Sequence, residues 1–355
     1  MELYDKILFG VFALGAEAFH LAAGSPMTAQ VDGRTHRLGS GPLETMTLQR
    51  LLYDLCSFEA LNVFEKRGAV TFDLNFEMGR RFRAFVLNRG GRVEMALKQI
   101  HHDAPPAEHL GVPPGFIDLA SEGWGLFVMA SPENEGIGNT TDSVIKSLRH
   151  RTIERVIEIK DRRRFLTKHF GGQLYPAHEN LGDAAVFLLA RSPGSVLVTQ
   201  ARELELVRAA LFAAESGHMA FLKVTAPRTD AALEAISAML DEADDSENLH
   251  ARLAENLHAV LAQRLLRRKG HRHARVSAWE LLARSDSLEN VVRRREWDRV
   301  EHLIAAGRRE GMIDQDDSLL GLVMRGRLLP ATAIARARHP GRLTERIRAW
   351  REGKG

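Results

Sequence analysis

Cysteine is almost missing: Cys56 is the only one in 355 residues. A disulfide scaffold is therefore excluded, and a lone thiol suits a reducing compartment. Long hydrophobic runs are missing too. No stretch reaches the ~18 apolar residues that a membrane span needs, and the one from Ile7 to Ala23 is interrupted by Glu17 and His20. Glu2 and Asp5 stand where a secretory signal would be basic. That segment reads as a first helix and strand, and a cytoplasmic protein is expected. Neither sign of charge dominates: 49 Lys and Arg against 46 Asp and Glu leave +3, too even to demand a polyanionic partner. Twelve Pro and 29 Gly exclude collagen-like and low-complexity chains. The remaining balance, 45% hydrophobic and 27% charged, is that of a globular protein, and the length suggests two domains.

The pattern changes near residue 104. Before it, Val31-Asp32-Gly33 reads as a strand entering a hairpin. Met46 to Phe64 carries Leu48, Leu51, Leu52, Leu55 and Leu61 at helical spacing. Val70–Phe76 alternates as a half-buried strand does, and Arg81–Leu87 and Val93–Ile100 look like two more strands. An α+β domain over 1–103 follows. The Pro-, His- and Gly-rich stretch after it, with Pro105-Pro106 and Pro113-Pro114, reads as a linker over 104–118. From 119 onward, the apolar runs Gly125–Ala130, Val156–Ile159, Ser195–Val198 and Met219–Val224 alternate with helical stretches. Such alternation argues for a largely parallel sheet covered on both faces. From Ala231 the chain reads as helix, except for a strand at Arg275–Ala278.

Ser131-Pro132-Glu133-Asn134-Glu135-Gly136-Ile137-Gly138-Asn139-Thr140-Thr141 joins a strand to a helix. That is the setting for phosphate binding at a helix N-terminus. A G-x-x-x-x-G-K-[ST] loop requires a lysine after its last glycine, and here Asn139 holds that place. Thr140 still offers a hydroxyl, while Glu133 and Glu135 bring negative charge to an anion's position. A dinucleotide fingerprint fails because Thr141 stands where the third glycine belongs. A plain strand-to-helix turn, using glycine for tight geometry, outweighs a tight phosphate site on these residues alone.

Several segments in order carry a wider likeness. Ala18-Phe19-His20-Leu21-Ala22-Ala23-Gly24-Ser25-Pro26 with Val31-Asp32-Gly33 is similar to an S-D-L-H-L-x-x-G-x-P…V-D-G opening. Arg81-Phe82-Arg83 matches R-F-R, and Leu211–Phe221 resembles L-T-A-A-E-T-G-H-L-V-F. Leu253–Leu257, Gln263–Leu266, Arg275–Glu280 and Gly311-Met312 follow in order. On these segments the chain resembles the twitching-motility (type IV pilus retraction) ATPases, the PilT/PilU-like branch of the type II/IV secretion ATPase superfamily. The resemblance implies an α/β protein: an N-terminal PAS-like α+β domain, then a RecA-like P-loop ATPase domain over 119–355 whose C-terminal part, from about 231, is helical. It also implies a ring of six subunits, with arginines of the first domain reaching the nucleotide's phosphates. Arg81 and Arg83 match those positions, and Lys98 stands for a third arginine; charge on an edge strand is their plainer reading.

The departures fall on the chemistry. Asn139 replaces the loop lysine, and the loop is about two residues longer than the family's. Ile159-Lys160-Asp161-Arg162 aligns with I-E-D-P, which puts Lys160 at the catalytic glutamate and keeps Asp161. Gln200 replaces the Walker-B-like glutamate, and Thr225 replaces the histidine of G-T-L-H-T, while His218 of the preceding G-H pair remains. Asparagine supplies no positive charge, and glutamine neither takes a proton nor acts as an anionic metal partner. The resemblance, so altered, implies a degenerate pseudo-ATPase. It would act as a structural or regulatory partner of pilus or secretion machinery, beside an active paralogous ATPase, as a homo- or hetero-oligomer touching membranes only peripherally, at the inner face of the inner membrane. The alternative is a divergent but active ATP-hydrolysing hexameric motor. No cofactor is expected; residual binding of ATP and Mg²⁺ would use Gly136, Gly138, Asn139, Thr140, Thr141, Arg81, Arg83 and Lys98.

The family's A-I-R-N-L-I-R-E helix aligns with Ser287–Arg294, where Glu289 replaces an arginine. The basic runs Arg162–Arg164, Arg267–Lys269 and Arg293–Arg295 read as solvated faces, and Asp241–Asp245 as an exposed acidic loop. No motif points to a specific nucleic acid. His101-His102 and His271-Arg272-His273 lack the cysteine or carboxylate spacing of a metal site, so no metal is expected.

Overall fold

The computed structural model describes residues 3–31, 34–39, 41–76, 81–100, 104–133, 135–148, 155–161, 164–168, 174–175, 195–271 and 274–353. Asp32-Gly33, His101-His102, Asn134, Arg162-Arg163, Ser192–Gly194 and Arg272-His273, all weighed above, lie outside the described residues. The chain divides into two units, 1–103 and 104–355.

In the first unit, helix α1 (Leu3–Phe12) precedes strands β1 (Ala18–Ala22), β2 (Thr28–Val31) and β3 (Arg34–Arg37). Helices α2 (Thr45–Leu55) and α3 (Phe58–Arg67) follow, then β4 (Ala69–Asn75), β5 (Arg81–Arg89) and β6 (Arg92–Ile100). The strands form a six-stranded sheet among the described residues, in the order β3-β2-β1-β6-β5-β4. Phe19, Phe82, Leu97, Leu48 and Leu52 are fully buried in its core. The single helix expected over Met46–Phe64 is two, because the Ser57 side chain accepts a hydrogen bond from Ala60 N and caps α3 as a new start. A second correction concerns Arg81 and Arg83: β5 lies between β4 and β6, so they are not on an edge strand. Asp73 of the neighbouring β4 accepts from Arg83 at 2.7 and 3.1 Å and lies 3.6 Å from Arg81. Lys98 is opposite Arg83 in the ladder and exposed.

In the second unit, α4 (Ala107–Leu110) and α5 (Pro114–Ala120) lead into β7 (Gly125–Ser131) and α6 (Ile137–Leu148). The segment expected as a linker is therefore folded: Ala107, Phe116 and Ala120 are fully buried, and Phe116 packs edge-on to Phe127 of β7 at 5.8 Å. Its prolines start helices, since proline needs no N–H partner in a first turn. Strands β8 (Arg155–Asp161), β9 (Arg164–Lys168), β10 (Leu174–Tyr175) and β11 (Ser195–Gln200) follow. After α7 (Leu204–Glu215) come β12 (Met219–Thr225), α8 (Thr229–Leu240) and α9 (Ser246–Asn256). Next are the antiparallel strands β13 (Leu257–Arg267) and β14 (Arg275–Ala283), then α10 (Asp286–Arg294) and α11 (Val300–Ala306). Helices α12 (Gln315–Met324), α13 (Pro330–Ile334) and α14 (Pro340–Glu352) close the chain.

The sheet order is β10-β9-β8-β11-β12-β7-β13-β14, with β8, β11, β12, β7 and β13 joined by parallel pairings. Both faces are covered. One core holds Val128, Leu222, Val207, Ile236 and Leu253; the other holds Phe127, Phe221, Val144, Leu148 and Phe116. The all-helical reading after Ala231 is corrected by β13, a strand paired to β7 through Ala262↔Ala130. Leu257 to Ala262 is buried on both faces, so it shows no alternation and cannot be told from a buried helix by periodicity. Gly125 opens β7 with φ +95°, and the His258 ring fills the space a Cβ would take.

The basic run at the end of α10 does not face solvent freely. Arg293 pairs with Glu255 and Glu289, and Arg295 pairs with Asp241 and Glu247, tying α10 to α9 and to the acidic loop. More deeply buried is Glu280 of β14. Its Oε2 accepts from Thr229 N at 2.7 Å and Thr229 Oγ1 at 3.0 Å, and Arg338 lies 4.0 Å from Oε1. Arg338 also pairs with Asp230 at 2.8 Å and Glu301 at 3.0 Å. Burial pushes the Glu280 carboxyl up to about 7, against the pull of the Thr229 hydrogen bonds. The folded protein then holds a proton that the unfolded chain releases near the ordinary carboxylate value of 4.5. Stability is fully present below that pH, falls as pH rises through the window, and levels off above about 7. Glu280→Gln, followed by urea denaturation across this window, is expected to flatten the decline.

Candidate functional site

The parallel strands bring their C-terminal ends to one edge, where open α/β sheets bind ligands. There a cleft of about 580 Å³ is lined by Ser131, Glu133, Glu135, Gly136, Gly138, Asn139, Gln200, Arg202, Lys223 and Thr225, among others. β7 supplies the glycine loop, and Gly136 takes φ +82°, a conformation L side chains rarely adopt. α6 begins at Ile137, so its first N–H groups point into the loop. β11 ends at Gln200, which pairs with Lys223 of β12; Lys223 in turn pairs with Met129 of β7. Thr225 pairs with Ser131.

Of the residues singled out from the sequence, the cleft brings together Gly136, Gly138, Asn139, Gln200 and Thr225. Thr140 and Thr141 are buried instead, 2% and 1% exposed. The Thr140 hydroxyl donates to Gln263 Oε1 at 2.5 Å, and that of Thr141 to Ile137 O at 2.8 Å. Lys160 and Asp161 end β8, beside β11 in the sheet; their side chains lie outside those described. His218 is elsewhere: it precedes β12, at the opposite end of the strand from Thr225, about 20 Å away at strand rise. Burial pulls its imidazole below the usual range, against a Ser195 backbone hydrogen bond. Arg81, Arg83 and Lys98 belong to the first unit's sheet.

Gln263 fixes the loop. Besides accepting from Thr140, its Nε2 donates to Glu135 O at 2.6 Å, and Glu135 Oε2 accepts from Leu265 N at 2.8 Å. The loop is thereby stitched to β13, and one of the two acids noted in the sequence points away from any anion. Sequence reasoning missed Lys223 and Arg202. A lysine inside the otherwise apolar Met219–Val224 run was the available signal, since buried strands rarely carry an ionisable group without reason.

The described residues do not fit a Mg²⁺ ion held in the P-loop manner. The Thr140 hydroxyl that would ligate it is 2% exposed and is not among the described residues lining the cleft, and the amide of Gln200 brings no negative charge. No group of three or more His, Cys, Asp or Glu positioned for a metal occurs among the described residues. Nor is any described helix long and apolar enough to cross a membrane.

The sheet order and the glycine loop define an α/β protein with a RecA-like P-loop fold in its second unit. No protein-family model matches the chain. It is 27% identical over 347 residues to the type IV pilus retractation ATPase PilT of Pseudomonas aeruginosa, covering 96% of this chain and 99% of that one. It is 23% identical over 317 residues to a twitching motility protein of Neisseria gonorrhoeae, covering 87% and 84%. The crystal structure of the pilus retraction motor PilT with bound ADP superposes with a TM-score of 0.80 at 24% identity, over 97% of this chain and 99% of that chain. The chain is thus similar to type IV pilus retraction and twitching motility proteins along most of its length, and shares the fold of the retraction motor.

Replacing Gln263 by Leu leaves the buried Thr140 hydroxyl only its long 3.4 Å contact with Gly136 O and takes the Gln263 donor from the Glu135 carbonyl. A loss of about 1–3 kcal/mol is expected by urea denaturation. Adding Thr140→Val, which removes the stranded donor, is expected to recover part of it; equal stability of wild type and Gln263→Leu would exclude the stitch.

Proposed function

We propose that this chain is a catalytically degenerate retraction-ATPase relative, a pseudo-ATPase that serves type IV pilus or secretion-type machinery as a structural or regulatory partner. The observation that carries this reading is the pair of neutral amides, Asn139 and Gln200, that line one cleft. In a P-loop enzyme a lysine neutralises phosphate charge at the first position, and a carboxylate serves the metal and water at the second. Neither amide can do either task. The burial of the Thr140 hydroxyl, 2% exposed, supports the same conclusion. In this reading the apolar strands are kept because the scaffold is what partners recognise. The partner is a component of the machine, an active paralogous ATPase among the candidates. The first unit is PAS-like, and the protein works in the cytoplasm, at most peripherally at the inner membrane.

A second reading, a divergent active motor, is favoured by Lys223 and Arg202, which bring positive charge into the cleft. Phosphate release with Mg²⁺ and ATP separates the two. Turnover at least about 10²-fold below that of an active retraction ATPase assayed alongside is expected, since loss of general-base chemistry alone costs that much. Comparable turnover would sink the pseudo-ATPase reading.

A further inference from the structure

We propose that His258 is a proton-operated latch: once charged, its Nε2–H draws in the Glu122 carboxylate and docks residues 121–124 over the start of β7. The latch lies at the N-terminal ends of the parallel strands, away from the cleft, and does not depend on phosphate chemistry.

The register of β13 breaks at this residue. β13 pairs with β7 through Leu257↔Leu126 and then Ala259↔Phe127, so His258 is an extra residue with no partner across the ladder. A bulge of this kind re-aims the side chain it carries. Here the ring turns over Gly125, where a Cβ would come within 2.1 Å of His258 Nδ1. Trp124 lies against the ring at 4.3 Å and Phe127 at 5.6 Å. Only 2% of the side chain is exposed. Nδ1 lies 3.1 Å from Asn256 O. A carbonyl accepts only from a protonated nitrogen, so the neutral ring carries its proton on Nδ1. Nε2 is then a bare acceptor, with no hydrogen-bond partner among the described residues. Glu122 Oε2 faces it at 3.9 Å, one acceptor opposite another.

A second proton turns Nε2 into a donor aimed at that carboxylate, while Nδ1 keeps its bond to Asn256 O. Glu122 is half exposed, in the short connection between α5 and β7, where Gly123 takes φ +87°. The carboxylate can therefore close to hydrogen-bonding distance without moving the core. Charge on the other side opposes it. Arg284 N donates to His258 O at 2.8 Å, and its guanidinium stands over the Trp124 ring at 5.7 Å. β7 adds no ionisable group here, and His218 reaches Gly125 N through its backbone carbonyl at 3.0 Å. Burial first, and Arg284 with it, pull the imidazole below its ordinary 6.5; the Asn256 hydrogen bond and Glu122 pull it back. As pH falls, the unfolded chain therefore takes up the proton first. The stability this ring confers is full above 6.5 and declines below it, and the latch closes within that declining range.

The test is a pH titration of the full chain carrying ¹³C at histidine Cε1, read beside Trp124 emission. The His258 signal is identified by its displacement in Trp124→Phe, and Trp124 emission by difference from the same variant. A charged imidazole against an indole quenches it. Emission is expected to fall along the His258 titration curve, below pH 6.5 and before the unfolding seen by circular dichroism. Glu122→Gln removes the attraction and is expected to weaken proton affinity about two- to fivefold, while Arg284→Gln strengthens it. Docking is read by acrylamide, whose quenching of Trp124 is expected to weaken in acid in wild type and not in Glu122→Gln. All three substituted side chains are solvent-accessible, so the variants are expected to fold. A His258 signal and Trp124 emission that stay flat until unfolding would overturn the proposal. So would equal midpoints in wild type and Glu122→Gln, or acrylamide access to Trp124 that does not change with pH.

Discussion

β13 runs past its last pairing with β7, Ala262↔Ala130, as far as Arg267. Its β14 side is bonded along this overhang, but on the β7 side no strand remains to accept its N–H groups. Buried backbone donors must find partners, because leaving one unpaired costs about 1–3 kcal/mol. The glycine loop provides that partner. Glu135 lends its carboxylate to Leu265 N, and Gln263 closes the arrangement by holding Glu135 O and Thr140 together. The loop's conformation is thus a consequence of sheet edge satisfaction and needs no bound phosphate to define it. The arrangement holds the Thr140 hydroxyl in the interior and leaves a cleft lined largely by the ends of neighbouring strands.

Those neighbouring strands explain why the cleft keeps its shape while its chemistry changes. Gln200, Lys223, Met129 and Thr225 sit in register at the ends of β11, β12 and β7, and the residues before them are buried apolar side chains on both faces. Packing dictates where these termini lie, and packing is indifferent to whether a terminal side chain is glutamate or glutamine. Charge at the rim can therefore be redistributed without disturbing the core.

How much of this was legible in the sequence follows from the same physics. The apolar runs that became β7, β8, β11 and β12 announced a doubly covered parallel sheet, and Asn139, Gln200 and Thr225, singled out by resemblance to a family's boxes, line one cleft. β13 was missed because burial on both faces erases the alternation that reveals a strand. The break between α2 and α3 hid in a continuous helical stripe, where only the capping side chain of Ser57 marks it. Residues 104–118 looked like a linker because proline was read as a breaker, whereas here it opens helices that carry Phe116 into the core. Lys223 was passed over as part of an aligned box, although a charge inside an apolar strand was visible. The Gln263 contacts were beyond reach, since they join residues more than a hundred positions apart.

The cleft is also tied to the end of the chain. β12 leaves it through Thr225, and the residues that follow are bonded to C-terminal elements one after another. Pro227 O accepts from Gln315 of α12 at 3.2 Å, Thr229 donates twice to Glu280, and Asp230 holds Arg338 between α13 and α14. Arg338 N and His339 N both donate to the Asp316 carboxylate of α12, at 2.8 and 2.9 Å. Such a buried, bonded chain transmits displacement where a loose loop would absorb it. A shift of Thr225 on filling of the cleft would have to be accommodated by α12 to α14, whose apolar contacts among Leu319, Leu322, Leu343 and Ile347 form a separate small core. The strand end that lines the cleft is thereby fastened to the C-terminal helices by hydrogen bonds as well as by apolar packing.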